Sequence, residues 1–163
     1  SLSIKDFFYK NANRNTVLAY ILNNPGSTLR EISRGLGLNL GTLRYHILVL
    51  SLNHRIVTCL ADGKHVRYFT NSNTYSKQEQ LLISLMKRNG MKKILGALSE
   101  KPSLTNIELS RTLDIQESSA SRYMRELIER GIAIKKPGAD GASAYALNEE
   151  LREAIAILVR RVP

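Results

Sequence analysis

The feature that most constrains this chain is that it is written twice. At an offset of 77 positions, Leu18 maps to Leu95, Pro25 to Pro102, Thr28 to Thr105 and Glu31 to Glu108. Ser33-Arg34 maps to Ser110-Arg111, Leu36 to Leu113, Leu50 to Leu127 and Tyr68 to Tyr145. Val17/Ile94, Ile32/Leu109, Leu38/Ile115 and Ile47/Met124 keep their apolar character, and Gln116 stands where Asn39 does. Two copies are too few for a solenoid, which needs about three. A length of 163 residues does hold two small domains. The expected division is therefore residues 1–75 and residues 76–163.

Each copy carries the same punctuation. Thr28-Leu29-Arg30-Glu31 has the form of a capping box, so a short helix should run from Leu29 to about Gly35. Gly35-Leu36-Gly37-Leu38 reads as a tight turn with one buried leucine. Asn39 is a good N-cap for a second helix reaching Leu52. Leu43, Ile47 and Leu50 recur at helical spacing and mark its buried face, so Thr42, Arg44, Tyr45 and Leu48 point elsewhere. Helix, short glycine-containing turn, helix is the helix-turn-helix arrangement. Arg55–Leu60 and His65–Thr70 read as strands joined through Asp62-Gly63, a two-residue hairpin signal in which both central residues need positive φ. A helix-turn-helix followed by a hairpin is a winged helix. The second copy repeats the box as Thr105-Asn106-Ile107-Glu108 and the hairpin signal as Asp140-Gly141, one residue late, so its wing should be slightly longer. The fold class expected is mainly α with small β-hairpin wings (α+β), as two tandem winged-helix domains.

Outside these motifs, Ile4, Phe7 and Phe8 give Leu2–Tyr9 a helical spacing that Asn11-Ala12-Asn13 should break. Val17, Leu18 and Ile21 then mark a second helix, Asn15–Asn23. Asn71–Tyr75 is a polar linker. Ser76-Lys77-Gln78-Glu79 is another capping box, opening a helix toward Asn89-Gly90, where the glycine suits a C-cap. Asn148 should cap a last helix, Glu149–Arg161, whose acids come first and Arg160-Arg161 last, as the helix dipole favours. Its stripe of Leu151, Ala154, Ile155, Leu158 and Val162 has two uses of equal weight: packing on its own domain, or pairing two chains as a homodimer.

Charge narrows the partners. A formal net charge of +10 favours a polyanion, and nucleic acid is the usual one. The other polyanion is a membrane surface, but no apolar run approaches the roughly 20 residues that a span needs. Cys59 is the single cysteine, which excludes an internal disulfide framework and fits a reducing, cytoplasmic setting. The chain opens on Ser1 rather than Met, so an excised fragment or a tag remnant is expected. Nothing points to an enzyme. His46, His54 and His65 have no metal-ligand spacing with Cys59 or with carboxylates, and there is no glycine-rich phosphate loop. No catalytic residue, metal site or cofactor is expected.

The residues Thr42-Leu43-Arg44-Tyr45-His46-Ile47 with Leu50, Asp62-Gly63 and Tyr68 carry a resemblance to a known family. So do Ser119-Ala120-Ser121-Arg122-Tyr123-Met124 with Leu127, Gly131, Asp140-Gly141 and Tyr145. The chain resembles tandem winged-helix transcription regulators of the ArsR/MarR type, most of all archaeal regulators with two such domains. It departs from the pattern at His54, where the second copy has Gly131, and it lacks the paired cysteines of metal-sensing members. The resemblance implies sequence-specific binding of double-stranded DNA in transcription control.

In the first recognition helix Asn39, Thr42, Arg44 and Tyr45 are the candidates for base edges or backbone. Arg reads guanine and Asn reads adenine bidentately in a major groove. Lys64, His65 and Arg67 flank the first wing tip, while Arg30 and Arg34 lie on the helix that crosses the backbone. The second copy offers Ser118, Ser119, Ser121, Arg122 and Arg125, with Lys135 and Lys136 in its wing. Residues 1–76 carry net +6 and residues 77–163 net +4, so the first domain is the better electrostatic fit. The rival reading from another class is a protein-interaction adaptor of the transcription or chromosome machinery. A second rival, RNA binding, is disfavoured by the scarcity of stacking aromatics.

Overall fold

The computed structural model describes residues 3–163, apart from the side chains of Phe7 and Phe8. Leu2 and those two aromatic side chains, which belong to the first expected helix, lie outside the described residues. By backbone packing the chain divides into two compact units, 1–87 and 88–162.

The first unit opens on α1 (Ile4–Asn23), then β1 (Ser27–Thr28), α2 (Leu29–Leu36), α3 (Leu40–Leu52), β2 (Ile56–Cys59), β3 (Arg67–Thr70) and α4 (Lys77–Met86). The expected break at Asn11–Asn13 is absent, and α1 is one helix of 20 residues. Asparagine costs a helix interior only about 0.7 kcal/mol, so two of them with no Gly or Pro do not end one. Two of the three expected capping boxes form, Thr28 with Glu31 opening α2 and Ser76 with Glu79 opening α4, while at Thr105 only half of the box is made, its Oγ1 accepting from the Glu108 amide at 3.2 Å. Val17 and Ile21 of α1, Ile32 of α2 and Leu43, Ile47 and Leu50 of α3 close the core over Ile56. In this division α4, with the linker before it, falls within the first unit. Its Ile83 lies against Gly26, where an added Cβ would come within 3.1 Å of the Ile83 side chain.

The second unit repeats the plan as α5 (Met91–Glu100), β4 (Leu104–Thr105), α6 (Asn106–Leu113), α7 (Glu117–Glu129), β5 (Ala133–Pro137), β6 (Ser143–Leu147) and α8 (Glu149–Arg161). Gly90 does not cap α4, which ends at Met86; with φ 82° it is instead the N-cap of α5. Sheet order is the same in both units, β1-β3-β2 and β4-β6-β5. Register is also the same: Ser27 faces Tyr68 as Leu104 faces Tyr145, and Ile56 faces Thr70 as Ala133 faces Leu147. Even side-chain locks recur, since Ser33 Oγ donates to the Leu38 carbonyl at 2.6 Å and Ser110 Oγ to that of Ile115 at 2.6 Å. The second wing is longer by one residue in each strand. Of the two uses weighed for the last stripe, packing on its own unit is the one seen: α8 lies on α5, with Leu151, Ile155, Leu158 and Val162 buried.

The first hairpin differs from expectation. Its strands stop at Cys59 and restart at Arg67, leaving a loop in place of a two-residue turn. Of the two central residues only Gly63 takes positive φ, at 71°. Asp62 instead folds the loop with its side chain, its Oδ1 accepting from the Lys64 and His65 amides at 2.9 and 2.8 Å. Asp favours such local bonds to its own backbone, and here they displace the tighter turn.

Candidate nucleic-acid interface

In the first unit α3 turns Gly41, Arg44, Tyr45 and Leu48 to solvent, while Leu43, His46, Ile47 and Leu50 face the core. Asn39 is committed to its cap: its Oδ1 accepts from the Thr42 amide at 2.8 Å, and Thr42 is half-buried. His46 is buried, at 1% exposure, and its Nδ1 has no hydrogen-bond partner. Burial, with Arg14 and Lys10 nearby, holds its pKa below the usual histidine value, so the ring is neutral at pH 7.

Arg44 opens onto a groove of about 310 Å³ between the start of α2, α3 and the wing. Arg30, Lys64 and His65 line it over a floor of Leu29, Leu40 and Tyr68. Burial raises the Tyr68 phenol, and the Arg44 charge partly opposes this. The Lys64 and His65 amides are held by Asp62, whose carboxylate also meets His65 Nδ1 at 2.8 Å. Those bonds from His65 push the Asp62 pKa well below the usual carboxylate range. Lys64 and His65 therefore sit exposed on an ordered loop. Arg67 does not join them. It is buried at 7% exposure, donates from Nη1 to the Gly26 carbonyl at 2.9 Å, and lies 3.7 Å from Glu31. Arg30 and Arg34 are exposed on α2.

On the other side of Arg44, Tyr45 meets two cations that the sequence reading did not single out. Lys10 Nζ lies 5.7 Å and the Arg14 guanidinium 5.9 Å from the Tyr45 ring centroid. Both come from the part of α1 that the expected break had hidden; their spacing of four on one unbroken helix was the available signal.

The second unit presents a different face. On α7, Ser118, Arg122 and Arg125 are exposed, while Ser119 and Ser121 are half-buried. Ser121 Oγ donates to Asn106 Oδ1 at 3.3 Å. Arg125, Ser121 and Lys135 line a groove of about 330 Å³ with Tyr145. Lys135 and Lys136 are exposed on β5. α7 carries Glu117, Glu126 and Glu129, whereas α3 carries no acid at all. Glu126 is held by Arg88, whose Nη2 donates to Oε1 at 3.0 Å, and by Arg130 at 3.3 Å. Arg88 above all holds the Glu126 carboxyl below its usual range. Among the described residues no cluster of three or more His, Cys, Asp or Glu is placed to hold a metal ion. No described helix is long and apolar enough to cross a membrane.

The sequence matches the family described as winged helix-turn-helix DNA-binding over residues 10–52 and again over residues 91–133. No curated protein matches the chain. Among solved structures, the reduced form of MarR from E. coli aligns over 53% of this chain and 67% of its own, at 18% identity and a TM-score of 0.44. ScpB from Mycobacterium tuberculosis aligns over 90% of this chain and 96% of its own, at 15% identity and a TM-score of 0.34.

Proposed function

The chain belongs to the winged helix-turn-helix DNA-binding family, and from that premise we propose that it is a sequence-specific regulator of transcription acting on double-stranded DNA in the cytoplasm. Its first unit is the principal reader. The observation that carries this is the α3 face: Arg44 and Tyr45 stand exposed on a helix without acids, beside a groove lined by Arg30, Lys64 and His65. Such a helix fits a major groove, where Arg44 reaches base edges and the flanking cations meet phosphates. Asn39 serves as cap more than as reader, and Arg67 serves the fold. In the second unit Ser118, Arg122, Arg125, Lys135 and Lys136 form a weaker contact, because Glu117 and Glu129 share the exposed α7 surface. Pairing of two chains by the α8 stripe is not part of this reading, since that stripe is already buried.

The test is footprinting on selected duplex sites with the whole chain, with Arg44→Ala and with the double variant Arg122→Ala/Arg125→Ala. The reading expects Arg44→Ala to raise the concentration needed for the principal footprint by about 5- to 150-fold and the double variant to trim its edge. A footprint lost only with the second-unit variant would overturn the assignment.

A further inference from the structure

A helix lying in a major groove about 12 Å wide has a phosphate backbone on each side. The first unit supplies cations on one side of α3 from Arg30 and the wing. The other side is where α1 runs. Successive residues on a helix are about 100° apart, so Arg44 and Tyr45 look in different directions. Arg44 faces the wing-side groove and Tyr45 faces Lys10 and Arg14.

We propose that Lys10 and Arg14 of α1 form a second phosphate clamp, on the strand opposite to the one the wing side holds, with Tyr45 set between them. This rests on the reading of α3 as a major-groove helix. Three observations beyond proximity support it. First, neither cation has an acidic partner within ion-pair distance among the described residues. Asp6, four residues before Lys10, is bonded to Ser3 instead, and the Lys10 charge is the smallest of the influences that lower its carboxyl. Second, Tyr45 is held in place. Its ring packs edge-on against buried His46 at 5.6 Å, with Lys10 and Arg14 5.7 and 5.9 Å from its centroid. Third, the repeat supplies an internal comparison. α1 has 20 residues and its counterpart α5 has 10, the extra length being the N-terminal part that carries Lys10. The position matching Arg14 in α5 is Met91, which is fully buried. Lys10 and Arg14 therefore stand beside a recognition helix without acids, whereas the cation beside α7, Arg88, is bound to Glu126.

Phosphate contacts fix register and add affinity without reading sequence. The test measures duplex binding of the whole chain across salt concentrations for Lys10→Gln/Arg14→Gln, for Lys10→Arg/Arg14→Lys, and for Lys93→Gln as an exposed control on α5. Phosphate-ethylation interference is mapped on the preferred site alongside. The glutamine pair should lower the salt slope by about two, roughly one per lost contact, and weaken all sequences alike. The charge-keeping pair should restore the slope, and Lys93→Gln should leave it unchanged. Interference should vanish at phosphates of one strand and persist on the wing side. An unchanged slope and pattern with the glutamine pair, while Lys64→Ala still lowers the slope, would overturn the clamp and leave the DNA reading standing. A wild-type chain that binds no duplex would remove both.

Discussion

At the end of each recognition helix the chain turns through a residue with positive φ, and the two copies fill that position differently. His54 has φ 55° and Gly131 has φ 73°. The surroundings match closely. The His54 amide donates to the Ser51 carbonyl at 3.1 Å and that of Gly131 to Ile128 at 3.0 Å. Asn71 Nδ2 donates to the His54 carbonyl at 2.9 Å and Asn148 Nδ2 to the Gly131 carbonyl at 3.1 Å. The backbone is thus held in the left-handed region whatever the side chain. A residue with a Cβ is disfavoured there by about 1–2 kcal/mol, histidine toward the low end. Glycine returns about 0.5–1 kcal/mol of this through its freer unfolded state. His54→Gly should therefore stabilise the first unit by about 0.5–1 kcal/mol, and Gly131→His should destabilise the second by a similar amount. At about 4–8 °C per kcal/mol for a domain of this size, the shifts are about 2–8 °C and opposite in sign. Thermal unfolding followed through the methyl NMR signals of Ile56 and Ile132 reads each unit separately. If His54→Gly lowers the midpoint, or Gly131→His costs nothing, backbone strain does not govern this turn and the reasoning fails.

The remaining expectations concern single side chains. Arg44→Ala should cost about 1–3 kcal/mol on the preferred site and relax choice at one base pair, while Lys64→Ala should weaken all sequences equally; competition binding on site variants separates them. Arg67→Ala should cost about 1–3 kcal/mol of stability by stranding the buried Gly26 carbonyl, yet leave the salt slope of DNA binding unchanged, as urea unfolding and binding titrations would show. His46 has its pKa lowered in the fold, so its contribution to stability is present above the unfolded value of 6.5 and is lost as pH falls through the folded one. Urea midpoints should drop as pH falls below 6.5 in the wild type and lose this dependence in His46→Phe. Asp62 is depressed from 3.8, so the wing loop should stay ordered at pH 4 and loosen only well below it, which the Lys64 and His65 amide shifts would report.

What the sequence made legible was whatever local chemistry decides. Capping at Thr28, Ser76 and Asn148, the buried spacing of Leu43, Ile47 and Leu50, and the repeat itself all reappear in the structure. The misreadings share a cause, since each depended on something distant or on two signals in competition. Asn11–Asn13 resembles a break, but a continuing helix tolerates it, and so Lys10 and Arg14 went unnoticed. Asp62-Gly63 suggests a tight turn until the aspartate side chain takes the loop amides for itself. Arg67 has the composition of a wing cation, and only the Gly26 carbonyl, 41 residues away in sequence, makes it a core residue. Gly90 signals a helix end, and it serves the start of the next helix instead.

The central claim is that a basic winged-helix face in the first unit holds duplex DNA. The most direct measurement is the association constant of the whole chain for its preferred duplex as salt is raised, set against the same titration with all of Arg30, Arg44 and Lys64 changed to alanine. The account predicts a steep linear fall of log K with log salt for the wild type, and a slope shallower by about two to three in the triple variant. A flat response in the wild type, or a triple variant with the wild-type slope and affinity, would contradict it.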